Sequence, residues 1–241
     1  MKSTTAAGPA LLLALVSGTA GCAGGGQDAP GALGAFTGGH LVITSDTGVT
    51  LRPGDGDGAV VDDRIEHRWT SRDDTRVLDL TCEEPDGQCP RMPRVDVPEG
   101  TSVTVTARDA GIDAAGIAGA LDLTTVNGDV TVTRSGADDA KVRLVTRNGS
   151  VRATALRAGK LHAETVNGDV TLACATAPDG VGGTTTNGSV RLALPHGAPA
   201  YRVTADTDNG RPDIDVATGG DTDGRTIRLA TVNGDVTAGR D

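Results

Sequence analysis

Aromatic side chains are almost missing: Phe36, Trp69 and Tyr201 are the only three in 241 residues. A compact core usually draws much of its buried area from such rings, so here Val, Leu, Ile, Ala and Thr must supply it. Sugar-binding grooves also favour aromatic platforms, and the repeat region has only Tyr201. Helix-period apolar stripes are absent outside the N-terminal leader. The apolar run Ala10–Val16 falls well short of the ~20 residues that a membrane helix needs. Basic residues are scarce too, 22 Lys and Arg against 32 Asp and Glu, for a formal net charge of −10. Removing residues 1–21 would take away Lys2 and no acid, moving the balance to −11. Such a balance speaks against nucleic acid and anionic lipid headgroups as partners. The simplest role for the acid is to keep the surface soluble. What the chain has in quantity is glycine, 35 residues, together with many threonines. Both point to β-structure with frequent turns.

Residues 1–22 read MKSTTAAGPALLLALVSGTAGC. A basic Lys2, a short apolar run and small residues after it make an export signal. Thr19-Ala20-Gly21-Cys22 resembles the lipobox of bacterial lipoproteins, whose cysteine takes a diacylglycerol before cleavage. It departs from that pattern at Thr19, where an aliphatic residue is usual. The competing reading is an ordinary signal peptide that leaves Cys22 as a free thiol. Residues 22–38, rich in Gly, Ala and Pro, read as a flexible tether.

The other cysteines suit an oxidising compartment. Cys82 and Cys89 bracket the turn-rich Glu-Glu-Pro-Asp-Gly-Gln and read as a local disulfide. A zinc site would need further ligands, and no His pair lies nearby. Cys174 continues the alternation of Val170 and Leu172 and reads as a small buried hydrophobe.

Internal repetition organises the second half. TVNGDV recurs at Thr125–Val130, Thr165–Val170 and Thr231–Val236, with TRNGSV at Thr146–Val151 and TTNGSV at Thr185–Val190. Thr207-Asp208-Asn209-Gly210 is a degenerate copy. The repeat centres are Asn127-Gly128, Asn148-Gly149, Asn167-Gly168, Asn187-Gly188, Asn209-Gly210 and Asn233-Gly234, spaced by 21, 19, 20, 22 and 24 residues. Before each centre the apolar residues alternate, as in Leu121, Leu123, Thr125 and Asn127, which is the period of a strand. After it the inward residue comes three places on, at Val130, Val151, Val170, Val190 and Val236. Strict alternation would put it two or four on, so the chain changes direction at Asn-Gly. Glycine accepts positive φ there, and asparagine tolerates αL or bonds its own backbone.

Two all-β architectures fit. One is a parallel β-solenoid in which about 20 residues make a coil with a corner at each Asn-Gly. The other is an antiparallel sandwich or meander with Asn-Gly hairpins. The near-constant period, the fixed Thr and Asn positions and the small core residues favour the solenoid, with a Thr/Asn ladder inside. The outward residues after Asn-Gly alternate as Asp129/Thr131, Ser150/Arg152, Asp169/Thr171 and Ser189/Arg191. Stacked ~4.8 Å apart, such rows place Arg152 beside Asp129 and Asp169, and Arg191 beside Asp169.

Residues 39–98 lack the repeat and read as an irregular N-terminal β portion, with strands at Leu41–Thr44 and Val77–Cys82 and Trp69 plugging its core. Residues 99–241 form the repeat domain. The Val97-Pro98-Glu99-Gly100 segment, the strand Val103–Thr106 and the T-x-N-G-x-V rungs together resemble the putative-adhesin family of bacterial β-strand-repeat proteins. The resemblance covers roughly residues 39–241 and implies a solenoid-like fold at the cell surface. It implies no chemistry.

Side chains that could carry chemistry are few and scattered. The acid pairs Asp62-Asp63, Asp73-Asp74, Glu83-Glu84 and Asp138-Asp139 read as solvated charge. His40, His67, His162 and His196 are scattered, with His162 and Glu164 a weak outward pair. Asp55-Gly56-Asp57-Gly58 resembles a calcium loop without the remaining ligands. The sequons at Asn148 and Asn187 are by-products of the repeat. The expectation is therefore no catalytic residue, cofactor or metal. The chain reads as an exported, extracytoplasmic lipoprotein held in the membrane through Cys22, a surface binding module for an envelope polymer or a surface protein. A structural element that self-associates through its C-terminal rung is the alternative, and a polysaccharide-active β-helix enzyme a distant third.

Overall fold

The computed structural model describes residues 39–54, 60–61, 65–82, 89–219 and 223–240. The leader, Cys22, the tether, the Asp55–Gly58 loop and the acid pairs Asp62-Asp63 and Glu83-Glu84 lie outside these residues.

Alternating sequence gives alternating burial, and the described chain is built of strands. They are β1 (His40–Ser45), β2 (Val49–Pro53), β3 (Val60–Val61), β4 (Glu66–Arg72), β5 (Thr75–Thr81), β6 (Arg94–Val97), β7 (Ser102–Ala107), β8 (Ile112–Ala115), β9 (Leu121–Thr124) and β10 (Val130–Thr133). The repeats continue with β11 (Lys141–Val145), β12 (Val151–Leu156), β13 (Lys160–Glu164), β14 (Val170–Cys174), β15 (Gly180–Thr184) and β16 (Val190–Leu194). β17 (Arg202–Asn209), β18 (Pro212–Ile214), β19 (Thr226–Asn233) and β20 (Val236–Arg240) complete the set.

Two ten-stranded sheets result, each parallel except at one edge, where β4 and β3 pair antiparallel. Each Asn-Gly joins a strand of the first sheet to a strand of the second, as between β9 and β10. The two strands flanking Asn-Gly never pair with each other. That observation excludes the hairpin sandwich and establishes the solenoid.

Inward residues stack in columns between the sheets. Leu121, Val142, Leu161, Val181 and Ile227 form one, and Val130, Val151, Val170, Val190 and Val236 another. All ten are buried. The sheets lie close enough that Gly183 occupies an inward position; a Cβ there would press on Val190 and Leu229. A core this narrow does not require rings, which accounts for their scarcity.

The rungs stack in chain order only through the middle. At one end β19 lies between β15 and β17, and β20 between β16 and β18. The last repeat in the sequence is thus the penultimate rung, covered on both sides, and the degenerate Thr207–Gly210 copy is outermost. The other end repeats the device: β1 lies between β5 and β7, and β2 between β6 and β8. Residues expected to be irregular therefore supply regular rungs of the same two sheets. Trp69 on β4 faces Leu78 across the antiparallel pair and packs, partly buried, against the end of the core. Tyr201 is fully buried near the opposite end, and its hydroxyl donates to the Pro178 carbonyl at 2.8 Å. Cys82 and Cys89 are disulfide-bonded with Cα atoms 5.9 Å apart, and Cys174 is buried outside any disulfide.

Candidate binding surfaces

Three ladders hold the Asn-Gly corner. The threonines each donate a hydroxyl proton to a carbonyl of the neighbouring corner at 2.7–2.8 Å, the buried Thr146 to Gly128, Thr165 to Gly149, Thr185 to Gly168 and Thr231 to Gly188, and the half-buried Thr207 to Gly234. The asparagine amides form the second ladder, each Nδ2 donating to the next Oδ1 at 2.9–3.0 Å from Asn148 on Asn127 through to Asn209 on Asn233. In the third, the Asp and Ser after the glycine accept from the following rung's backbone N–H: Ser150 N–H on Asp129, Asp169 N–H on Ser150, Ser189 N–H on Asp169 and Asp235 N–H on Ser189.

The asparagines are exposed, whereas the threonines are buried, Thr207 of the outermost rung only in part. The ladder inside is therefore threonine alone. The chain begins to turn at the threonine, two residues earlier than alternation suggests, and this swings the asparagine outward. The asparagines also keep negative φ; only glycines take the positive region at these corners, Gly168 at 153°. Its missing Cβ would land on the Gly149 carbonyl. Stacked glycines are required because the corner backbones touch.

The outer face of the second sheet carries paired charges. Arg152 meets Asp129 at 2.8 Å and Arg191 meets Asp169 at 3.6 Å, the pairing that the alternating rows imply. Arg52 meets Asp113 at 2.7 Å, and Arg94 meets Asp96 at 2.6 Å. Arg191, Thr237, Asp213 and Arg240 also rim a shallow depression floored by Ala173, Ala193 and Gly239.

The outer face of the first sheet differs. Lys141 lies directly beside Lys160, followed across the sheet by Gly180, Thr226 and Arg202. Two residues along, Asp122, Arg143, His162, Gly182, Arg228 and Thr204 make the next row. Arg143 holds Asp122 at 3.0 Å, and His162 approaches Glu164 at 3.4 Å. Lys141, Lys160, Arg202 and Arg228 are exposed and have no ionic partner among the described residues. Like charges side by side on neighbouring strands are mildly destabilising. No feature of the sequence repeat marks this face, because it depends on which strands become neighbours.

A family model matches residues 45–238, nearly all of the described chain. The chain belongs to the Toastrack DUF4097 family. This agrees with the resemblance carried by the T-x-N-G-x-V rungs. A search of curated proteins gives no match. Among solved structures, the Toastrack chain is similar to that of a "putative cell adhesion protein from Clostridium sporogenes ATCC 15579", at 10% identity and a TM-score of 0.44, over 86% of this chain and 94% of that one. That similarity is too distant to carry an argument.

Elsewhere on this Toastrack chain the titratable groups stay apart. Asp73-Asp74 forms the turn between β4 and β5. Asp138 receives two bonds from the Arg157 guanidinium, at 3.0 and 2.6 Å, which hold its carboxyl below the usual range. His40 bonds Thr104, and His67 lies against the Ile65 carbonyl. Among the described residues no three His, Cys, Asp or Glu side chains gather as metal ligands, and no helix is long and apolar enough to cross a membrane. Tyr201 is fully buried, a packing anchor rather than a sugar platform, and burial pushes its phenol up to about 12.

Proposed function

We propose that the chain is a non-catalytic cell-envelope lipoprotein, a surface binding module held on the extracytoplasmic face by a lipid on Cys22. Residues 22–38 act as its tether, and the solenoid presents flat sheet faces to an envelope polymer or surface protein. The observation that carries this reading is the broad outer face of the first sheet, where exposed cations stand without partners. Family membership supports a surface role. The test is cosedimentation of the purified full-length chain with isolated bacterial envelopes. Saturable binding without release of soluble sugar is expected; absence of binding overturns the reading. For the anchor, Cys22→Ala should release the protein to the medium, and an unchanged membrane-bound mature form would refute lipidation.

The self-assembly alternative looks different in three dimensions. The outermost rung, β17 and β18, carries Asp206, Asp208 and Asp213, and charge on an edge discourages strand addition. Concentration-dependent growth in sedimentation velocity would revive it.

A further inference from the structure

A chain with net charge −10 nonetheless gathers Lys141, Arg143, Lys160, His162, Arg202 and Arg228 on one sheet face, all exposed. Net charge acts through a solvent that screens it beyond roughly 8–10 Å, so at contact the local face decides. Here the acids are few. Asp122 is engaged by Arg143, Glu164 lies against His162, and Asp206 and Asp208 sit on the outermost strand. Lys141 beside Lys160 is a juxtaposition that the opposite sheet avoids by alternating Asp and Arg. Within this cationic field, Gly180 leaves the outward side of β15 open, a recess one strand wide, while the His162 ring leans over Gly182, its Nδ1 3.1 Å from where a Cβ would stand. Lys160 and His162 flank it on one side, and Thr226 and Arg228 on the other. A Cβ on Gly180 would meet only the Thr226 hydroxyl, at 3.8 Å.

We propose that this face, from β11 to β17, is a docking surface for a linear acidic polysaccharide lying along the stacking axis, its carboxylates meeting Lys141, Lys160 and Arg228. The rungs repeat every ~4.8 Å, close to the length of one pyranose residue in an extended chain, so successive sugars meet successive strands. The glycine recess admits a ring close to the backbone. No aromatic side chain lies on the face, so affinity comes from charge and falls with salt. The proposal rests on the surface-module reading above and names the chemistry of its ligand.

The test is binding of the full-length chain to polygalacturonate by calorimetry, beside long-chain polyphosphate, neutral dextran and phosphatidylglycerol vesicles. Polygalacturonate should bind, should weaken about tenfold between about 50 and about 300 mM salt, and should exceed the other three probes. Lys141→Glu combined with Lys160→Glu and Arg228→Glu should reduce binding by about tenfold or more. The paired-face control Arg152→Glu with Arg191→Glu should stay within about twofold. A milder triple change to Gln, with an unchanged thermal transition, guards against misfolding. Absence of polygalacturonate binding, equal loss in both variants, or preference for polyphosphate or vesicles overturns the proposal. If envelopes are still bound in any of those cases, the module reading survives it; loss of envelope binding by the unaltered chain removes both.

Discussion

The Asn-Gly corner and the outer face of the first sheet run side by side along the same stack, yet they obey opposite rules. At the corner every rung satisfies its neighbour. Thr165 bonds the Gly149 carbonyl, Asn167 bonds Asn148, and the Ser189 N–H bonds Asp169. On the face, neighbours are left unsatisfied, with Lys141 beside Lys160 and bare Gly180 beside Lys160 in turn. Repetition marks where the fold requires a residue. Its absence on the face marks where the fold leaves residue choice free, and the proposed ligand contacts lie there.

Substitutions can break this contrast. The largest effect is expected from Gly168→Ala, whose methyl group meets the Gly149 carbonyl at a φ disfavoured for alanine. It should lower stability by about 3 kcal/mol or more, read as a shift in the urea midpoint; a neutral result would show that the corners can spread apart. The irregular side of the stack relies on Tyr201 instead. Its phenol ionises near 10 when unfolded and about 12 when folded. The unfolded chain therefore loses its proton first as pH rises. Stability is unaffected by this group below pH 10 and declines between 10 and 12, by about 3 kcal/mol in all. Tyr201→Phe should remove that alkaline decline in denaturation curves taken across the window.

Smaller effects follow at the ladders and faces. Asn167→Ala interrupts two amide bonds, on Asn148 and from Asn187, and should cost about 1–2 kcal/mol in chemical denaturation. On the second sheet, Arg152→Glu sets an acid against Asp129 and should destabilise by about 0.5–1 kcal/mol, both side chains being half exposed. On the first sheet, Lys160→Glu replaces a repulsion with an attraction to Lys141. It should stabilise by about 0.2–0.5 kcal/mol while weakening polyanion binding in the same preparation. Opposite signs for these last two changes would sharpen the contrast between the faces; equal signs would erase it.

Much of the rung was legible in the residues. Leu121 and Leu123 announced an inward face by alternation, Val130 announced the change of direction, and Gly128 announced the corner. The outward position of Asn127 was not legible, because alternation already ends at Thr125, where the chain has begun to turn. Tyr201 offered no periodic context by which its burial could be read. The alternating Asp and Arg rows were legible because those rungs stack in chain order.

By itself, then, the sequence determined the period, the in-and-out pattern and the glycine corners, since these depend on residues close together in the chain. Tertiary structure alone decided which rung lies next to which. The strands β1 and β2, like β19 and β20, slip between neighbours far away in sequence, and the pairing of sheet edges follows complementarity across space, not chain order. The cationic face belongs to this second kind of information. Each lysine or arginine is unremarked in its own repeat, and the stacking of parallel strands, one beside the next, turns them into a surface.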